Sequence, residues 1–458
     1  MQIAVGIAER CCVSFWAVCC TLFEIFRHDL GCVRLDFGQP FSLKEYAKNK
    51  KFCLQHGGRP VEELLLPAVL GKRSEIVDCE KTPWWIQNCV SNLDAPDEDR
   101  CLVGSLSQHI LTTAVSCCAI MPTALLSCLL LYRHKQGVFL PRLMKDFSWL
   151  LEEVLFRNFD VGFSGRLQDI VLHTLSLLRD CVMLCCASPN DLFVFPKNSR
   201  EAMIDLALYS RPVLSVFICE AVGACAVNSV LMEMKDCAMN PEFDFDVVIS
   251  EEELNRKIFQ LFHLLPYDIL LLTPCHISYC FCWDAVDKLV QVGILTMEEF
   301  DHARHACDTK RTRISEELLW KPTDDFMDSD SDYDDDLHKR LFKLSSSSSS
   351  PDYYYFLCSL LRPVLKAYAE AATFLLDFNG PVKELAYIED LYQYLLRKTS
   401  ETAFYECATR TLATSAVQTF KELGVFQECA SSVFQLSSTF DSIENRRKLH
   451  HFIQQFII

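Results

Sequence analysis

The longest patterned stretch of the chain is Ile110–Gly165, which reads ILTTAVSCCAIMPTALLSCLLLYRHKQGVFLPRLMKDFSWLLEEVLFRNFDVGFSG. Its first 23 residues, Ile110–Tyr132, carry no charge, and a basic triplet at 133–135 ends this run abruptly. A helix of this length is long enough to cross a bilayer. Pro122 and several Ser and Thr residues are equally compatible with a buried or interfacial helix. We therefore predict one apolar helix here, and both placements remain open.

A second helical pattern follows within the same stretch. Its apolar residues recur every three or four positions and so share one helical face: Leu140, Leu143, Met144, Phe147, Leu150, Leu151, Val154 and Leu155. The charged residues lie largely off that face, namely Lys145, Asp146, Glu152 and Glu153. An apolar helix that leads into an amphipathic one is typical of a chain that lies in or against an apolar environment.

A second apolar segment, Pro212–Leu231, is interrupted by Glu220. A lone acid in such a segment is more often paired inside a protein than embedded in lipid. If the first segment crosses a membrane, the basic residues after it favour the cytosolic side for its C-terminal end, these being Arg133, Lys135 and Arg142. We therefore predict that the protein associates with a membrane.

The chain as a whole reads as mostly α, a multi-helix domain with a few short strands and no alternating βαβ pattern. A hairpin is predicted near 181–196, around a Ser-Pro-Asn-Asp turn, and Cys32–Phe37 alternates like a further strand. Four parts follow from the pattern: a lead-in helix (1–30), a helical region (31–322) with the apolar segments 110–132 and 212–231, a disordered acidic and serine-rich linker (323–350), and C-terminal helices (351–458) that pack on the same region.

Charge and cysteine content restrict the class of protein. The net charge of -17 argues against a phosphate-binding surface, and we predict no direct nucleic-acid partner. The 25 cysteines stand mainly inside apolar runs of a large chain, which favours free, mostly buried thiols in a reducing compartment over a disulfide scaffold. Four of them in particular are expected to be buried: Cys117, Cys118, Cys185 and Cys186.

His263 and Asp268 match an H-x-x-x-x-D pattern in which a histidine acts as general base on an acceptor hydroxyl and an aspartate orients it. A two-residue pattern arises by chance in a chain with 12 histidines. Pro266 and the flanking leucines favour a loop between packed helices instead. We therefore assign no catalytic residue in this chain.

Cysteine and histidine residues form a cluster at 275–282 that is a candidate metal site. It contains Cys275, His276, Cys280 and Cys282, whose spacing supplies only half of a zinc site, and its aromatic neighbours favour a buried helix. Gly162–Arg166 is not a nucleophile elbow, because Arg166 stands where the second glycine is required. We predict neither a metal site nor a cofactor-binding site.

The acidic stretch carries two candidate phosphorylation sites, Ser329 and Ser331. Each has an aspartate three residues further on, as an acid-directed kinase requires. Phosphopeptide mass spectrometry that always finds both unmodified would remove this hypothesis.

Longer stretches carry a family resemblance. Four of them resemble the C-terminal half of the mitochondrial glycerol-3-phosphate acyltransferases: GCVRLDFGQPFSLKEY (Gly31–Tyr46), LLLYRHKQGV (Leu129–Val138), EEVLFRNFDVGFSG (Glu152–Gly165) and AVQTFKELGVF (Ala416–Phe426). The resemblance covers nearly the whole chain from about Ser14 onward. Four others resemble one isoform group of that family: Cys219–Val227, His263–Cys275, Ala306–Pro322 and Asp328–Asp332.

The resemblance implies transfer of an acyl group from acyl-CoA to the sn-1 hydroxyl of glycerol 3-phosphate. The product is lysophosphatidic acid, and the reaction begins phospholipid and triacylglycerol synthesis at the mitochondrial outer membrane. In that family the catalytic His and Asp and the substrate motifs lie before the part matched here. Acyl-CoA and glycerol 3-phosphate are therefore expected partners only together with a catalytic domain that precedes residues 1–30. Acyl-CoA is then a substrate, and no cofactor is implied.

Two functions remain open on this basis. The chain is either the helical, non-catalytic half of an active acyltransferase or a catalytically inactive, membrane-associated scaffold. The isoform group that it resembles is also linked to small-RNA processing in germ cells, which would suit a scaffold at mitochondria.

Overall fold

The computed structural model describes residues 34–47, 61–71, 95–188, 191–237, 248–270, 278–298, 340–345, 350–378, 380–402, 404–430 and 433–458, with the single positions 16, 19, 20 and 23. Thirteen α-helices dominate these residues, and nine short strands form three small sheets. The prediction of a mostly α fold is confirmed. Apart from the four single positions, the lead-in helix predicted over 1–30 lies outside the described residues.

The helices are numbered in chain order. They are α1 (Val61–Val69), α2 (Ala95–Cys117), α3 (Pro122–Tyr132), α4 (Leu140–Phe156), α5 (Leu167–Leu177), α6 (Arg200–Cys237), α7 (Glu251–Leu264), α8 (Tyr267–Leu270), α9 (Ser278–Gln291), α10 (Ser350–Phe374), α11 (Glu384–Thr402), α12 (Arg410–Glu422) and α13 (Ile443–Gln454). The amphipathic helix predicted from Leu140 is α4. It buries Leu143, Phe147, Leu150 and Val154, while Leu155 at its end is exposed.

Each sheet has three antiparallel strands. In each, the strand that comes last in the chain lies in the middle and pairs with both others. The strands are β1 (Val138–Phe139), β2 (Val182–Ser188), β3 (Asp191–Pro196), β4 (Val248–Ser250), β5 (Leu295–Glu298), β6 (Leu341–Leu344), β7 (Val382–Lys383), β8 (Phe426–Ala430) and β9 (Val433–Leu436). Their orders are β1-β3-β2, β4-β6-β5 and β7-β9-β8. The predicted hairpin near 181–196 is confirmed as β2 and β3.

The apolar run at 110–132 is divided between two helices, so the prediction of one helix is wrong. α2 ends at Cys117 and α3 begins at Pro122, whose missing amide N–H is harmless in a first turn. Between them, the Ile120 N–H donates to the carbonyl of Asp160 at 2.8 Å, and its carbonyl accepts from the Gly162 N–H at 3.0 Å. These bonds fasten the bend to the turn after α4. At 11 residues, α3 is too short to cross a bilayer.

Helix α6 lies at the centre of the core and contains the second apolar segment, 212–231. It packs against α3, α7, α9 and α10, and α10 also contacts α12 and α13. Among the described residues, the stretch Arg200–Met234 of α6 is the one helix long and apolar enough to cross a membrane, with a best window of mean hydropathy 1.9. Because 83% of that window is buried inside the protein, packing among helices accounts for its apolar character.

The predicted linker at 323–350 contains a strand that its composition did not reveal. Leu341–Leu344 forms β6, which pairs with β4 on one side and β5 on the other and buries Phe342. Arg340 precedes the strand and donates from Nε to Glu251 on α7 at 2.9 Å. Residues 341–345 are therefore ordered, contrary to the prediction. Residues 323–339 and 346–349 lie outside the described part.

We expect Gly137→Ala to lower the free energy of unfolding by about 2–4 kcal/mol. Gly137 has φ +99°, which L side chains rarely adopt, and a Cβ there would lie 2.5 Å from Cε1 of Phe193. Backbone strain and overpacking therefore add. Chemical denaturation of the full chain measures the change. Gly104→Ala is the matched control, because Gly104 lies in α2 with open space around it and its substitution should be neutral or slightly stabilising.

Candidate functional site

His263 lies at the C-terminal end of α7 among apolar side chains. The centre of its ring is 4.3 Å from that of Phe259 and 5.1 Å from that of Phe262. Burial lowers the pKa of His263 to about 4, and within the described residues its Nε2 has no hydrogen-bond partner. Asp268 lies in the four-residue helix α8, and its side chain is outside the described part. The structure therefore shows a histidine in apolar surroundings that favour its uncharged form.

The cysteine and histidine cluster is divided. Cys280 is exposed and Cys282 is buried, although both lie on α9, while Cys275 and His276 are outside the described residues. Among the residues that the structure describes, no three His, Cys, Asp or Glu side chains are close enough to hold a metal ion. The candidate phosphorylation sites Ser329 and Ser331 also lie outside the described residues.

Asp146 lies at the centre of a cluster of basic side chains, although its position in the helical pattern suggests the polar face of α4. Its side chain is buried, and three neighbours contact its carboxylate: His134 Nε2 at 2.8 Å, Arg142 Nε at 3.0 Å and Arg133 Nη2 at 3.8 Å. A buried carboxylate needs such compensation. Burial lowers the pKa of His134, although the hydrogen bond to Asp146 acts in the opposite direction. This cluster ties the turn after α3 to α4.

Lys135 connects the same turn to the C-terminal helices. Its Nζ is 3.1 Å from Oε1 of the buried Glu406 and 4.1 Å from the ring centre of Phe404. The basic residues after α3 are thus engaged inside the protein. The run before them is not one helix, so the condition for that prediction is not fulfilled, and their placement on the cytosolic side stays untested.

An open cleft of about 280 Å³ lies beside this turn. It is lined by Lys135, Gln136, Phe195, Pro196, Asn198 and Met203. The amide groups of Gln136 and Asn198 can bind a polar group, but the ammonium group of Lys135 is already paired with Glu406. The cleft is therefore small, and its lining lacks the uncommitted charge that a phosphate or carboxylate ligand would need.

Glu220, the lone acid of the second apolar segment, is paired as predicted. Its Oε1 accepts from Nε of Arg157 at 2.8 Å, and both side chains are nearly inaccessible to solvent. Nη1 of Arg157 donates to Glu153 at 2.7 Å, and Nη2 donates to the hydroxyl of Tyr353 at 2.7 Å. The guanidinium carbon also lies 4.5 Å from the ring centre of Phe217. One arginine on the C-terminal end of α4 therefore joins α6 and α10.

Residues 34–47 lie against α2, but the strand predicted at Cys32–Phe37 is wrong for its described part, since residues 34–37 form no strand. Arg34 donates from Nη2 to Asp160 at 2.7 Å. Phe41 and Tyr46 both contact His109, with ring centres 4.8 and 5.1 Å away, the first edge-on and the second tilted. The side chains of residues 35 and 37 are exposed. The segment is thus attached to the protein without any partner strand among the described residues.

Every cysteine that the structure describes is a free thiol, as predicted, but the placement of four of them was wrong. Cys118, Cys185 and Cys186 are exposed, and Cys117 is half-buried. Their positions in the fold explain this exposure. Cys117 and Cys118 lie at the bend between α2 and α3, and the other two lie on β2, which is an edge strand. Apolar composition alone does not reveal an uncovered edge.

We expect Cys185 and Cys186 to react with N-ethylmaleimide in the native protein, whereas Cys219 and Cys407 react only after unfolding. Burial raises the pKa of both Cys219 and Cys407 to about 12, which lowers their thiolate fraction on the order of 10³-fold relative to an ordinary thiol. Timed labelling followed by peptide mass spectrometry measures the four rates. Rapid labelling of Cys219 in folded protein, or protection of Cys185, would contradict this placement.

Sequence reasoning missed Asp146 and Arg157 as organising residues. The i,i+4 spacing of Arg142 and Asp146 was a usable signal for an ion pair on α4. Nothing local indicated that Arg157 would meet Glu220, which is 63 positions away. Long-range ion pairs of this kind become visible only when the helices are packed.

The fold and these charge clusters describe a helical region whose ionic side chains connect long apolar helices to one another. The chain belongs to the family described as "Glycerol-3-phosphate acyltransferase C-terminal region", whose model matches residues 14–429. The resemblance stated from the sequence is therefore confirmed.

Individual relatives agree with this assignment. Glycerol-3-phosphate acyltransferase 2, mitochondrial, of Mus musculus is 45% identical over 93% of this chain and 53% of its own length. The Homo sapiens protein of that name gives the same identity and coverage. Glycerol-3-phosphate acyltransferase 1, mitochondrial, of Sus scrofa is 38% identical over 97% of this chain and 54% of its own length. The chain thus spans about half the length of the curated relatives that it matches.

Proposed function

We propose that this chain is the helical, non-catalytic half of a glycerol-3-phosphate acyltransferase. The complete enzyme transfers an acyl group from acyl-CoA to the sn-1 hydroxyl of glycerol 3-phosphate and so forms lysophosphatidic acid. The observation that carries the proposal is the family match along residues 14–429, together with 45% identity to a named acyltransferase across most of the chain. The role of this half is to hold a catalytic domain in a productive position.

The surroundings of His263 support a non-catalytic role for this half. A general base must reach the proton of the acceptor hydroxyl and have a pKa near the working pH. His263 instead lies between Phe259 and Phe262, and its pKa is lowered to about 4. The charged side chains around Asp146 and Arg157 are paired with one another inside the protein, which suits a support that is rigid rather than reactive.

An acyl-transfer assay on three proteins tests the proposal. They are this chain alone, the half of human glycerol-3-phosphate acyltransferase 1 that this chain does not match, and a chimera in which this chain replaces the matched half. With palmitoyl-CoA and glycerol 3-phosphate, we expect turnover from the chimera and none above background from the chain alone. Turnover by the chain alone would show that a catalyst is present in it. A chimera that is folded but no more active than the unmatched half would favour the inactive scaffold.

We place this chain at mitochondria, with the outer membrane as its site. The support is that the relatives are named as mitochondrial proteins. Fractionation of cells that express the chimera, followed by protease treatment of intact mitochondria, tests both statements. We expect the chimera in the mitochondrial fraction and digested without rupture of the outer membrane. A soluble or protease-protected chimera would contradict the outer-membrane placement.

A further inference from the structure

Three basic side chains gather near the ring of Phe404, which lies shortly before α12. Nζ of Lys366 on α10 is 3.5 Å from the ring centre, and Nζ of Lys135 is 4.1 Å from it. Arg362 precedes Lys366 by four residues on α10, so the two side chains share one face of this helix. We call Lys135, Arg362 and Lys366 the Phe404 cluster. Its members come from distant parts of the chain.

The Phe404 cluster carries more positive charge than its neighbours balance. Its carboxylate neighbour is Glu406, whose Oε1 lies 3.1 Å from Nζ of Lys135. Within the described part of the chain, neither Arg362 nor Lys366 forms an ion pair or donates a hydrogen bond. Three cations beside one carboxylate leave an excess of two positive charges, and this excess lies at Arg362 and Lys366.

Burial makes this excess costly. Arg362 and Lys366 are both half-buried, and the Nε–H of Arg362 is enclosed without an acceptor. Like charges four residues apart destabilise a helix, and a buried donor without a partner adds a desolvation cost. Burial lowers the pKa of Lys366, and Arg362 and Lys135 act in the same direction, whereas Cys407 and Glu406 oppose it. An anion in contact with Arg362 and Lys366 would remove these costs.

Comparable basic side chains elsewhere in the protein have their acceptors. Arg157 donates to two carboxylates and a hydroxyl group. Lys257 donates to Glu233, and Nε of the buried Arg446 donates to a backbone carbonyl at 2.9 Å. The fold therefore supplies partners to enclosed cations as a rule, and the missing acceptor at Arg362 points to a ligand.

We propose that Arg362 and Lys366 bind a phosphate monoester, with Lys135 adding to the positive potential around it. A phosphate monoester carries about −1.5 to −2 charges at pH 7, which matches the excess, whereas a phosphodiester or a carboxylate supplies only one charge. The guanidinium fork presents paired donors to phosphate oxygens, and a lysine adds a point charge. The site differs from the cleft beside Gln136 and Asn198, because neither Arg362 nor Lys366 lines that cleft.

Free phosphate and the head group of phosphatidic acid offer this same chemistry, so the test on the full chain uses both. The probes are inorganic phosphate, followed by calorimetric titration and Tm, and phosphatidylcholine vesicles that contain phosphatidic acid, followed by flotation. Dimethyl phosphate and vesicles with phosphatidylglycerol are the matched diesters at equal ionic strength. We expect a bound monoester to raise the Tm, because a ligand that binds only the folded state stabilises it. The diesters should bind more weakly.

The double substitution Arg362→Gln with Lys366→Gln should weaken monoester binding at least about tenfold, because it removes the charge-assisted hydrogen bonds. Without phosphate, its Tm should equal or exceed that of the parent, since the like-charge repulsion is gone. This second measurement separates loss of binding from loss of fold. Arg447→Gln with Lys448→Gln is the matched control, because it removes the same charge from α13, and it should bind like the parent.

The two probes also identify the source of the phosphate. Binding of inorganic phosphate indicates a site for a free monoester, and binding of phosphatidic acid vesicles alone indicates a lipid head group; either result supports the proposal. Failure of both probes to bind, equal binding of the diesters, or equal loss of binding in the control variant would overturn it. These measurements require no turnover, so failure of acyl transfer would count against the proposed function alone.

Discussion

We expect Glu220→Ala to lower the free energy of unfolding by about 3 kcal/mol, the lower end of the cost of removing one partner from a buried ion pair, because Arg157 keeps its second carboxylate partner, Glu153. Arg157 would remain almost inaccessible to solvent and would lose its 2.8 Å bond to Glu220. Glu153 and the hydroxyl of Tyr353 would still accept hydrogen bonds from Nη1 and Nη2 of Arg157, so the cost arises at its Nε, which would lose its acceptor. The loss also loosens the contact of α4 with α6. Urea denaturation of the full chain, followed by far-UV circular dichroism, measures the effect.

Two comparisons separate the buried charge from general damage. Glu389→Ala breaks an exposed pair, 3.8 Å from Arg410, and should change the free energy of unfolding by less than about 1 kcal/mol. The double variant Arg157→Leu with Glu220→Leu should recover part of the loss, because apolar residues of similar volume avoid a buried, unpaired charge. If Glu220→Ala and Glu389→Ala are equally mild, the pair is more hydrated than its burial indicates.

His263 makes the protein less stable as the pH falls from about 6.5 towards 4. Its pKa is about 4 in the folded state because burial disfavours the imidazolium, whereas an unfolded histidine has a pKa near 6.5. Between these values the unfolded state binds more protons than the folded state. The contribution of His263 to the free energy of unfolding is therefore fully present above the unfolded pKa and is lost progressively as the pH falls towards the folded pKa. The difference corresponds to about 3 kcal/mol at the acid end of this window.

His263→Leu should remove this part of the pH dependence. The measurement is the free energy of unfolding at a series of pH values from about 7.5 to 4, with the slope of the variant subtracted from that of the parent. Burial also lowers the pKa of His134 and His450, so the parent and the variant share a residual slope of the same sign. His173→Leu changes an exposed residue on α5 and serves as the control. Parallel profiles for parent and His263→Leu would show that the ring is hydrated.

Local pattern was sufficient for several elements. The three- and four-residue spacing from Leu140 predicted α4, because that period places apolar side chains on one helical face. The β2–β3 hairpin followed from two short apolar runs around turn-forming residues. Pairing of Glu220 was predictable from the cost of an unpaired acid among apolar neighbours, although its partner was not.

Other features depended on contacts between distant parts of the chain. β6 was hidden in a linker-like stretch, because its order comes from β4, β5 and the bond between Arg340 and Glu251. The exposed thiols of β2 were misplaced, because an apolar run does not show whether a strand lies at the edge or the centre of a sheet. The bend at 118–121 required the backbone of the turn after α4.

By itself, the sequence determined that the protein is mostly helical, that the cysteines within the described residues are free and that the chain belongs with the acyltransferase C-terminal regions. These properties follow from periodicity, composition and long matching stretches. All three can be read from residues that are neighbours in the sequence. Only the tertiary structure decided which apolar segments are core and which charged side chains pair with one another. Burial is a relation between residues that are far apart in sequence, so it exists only once the helices are packed.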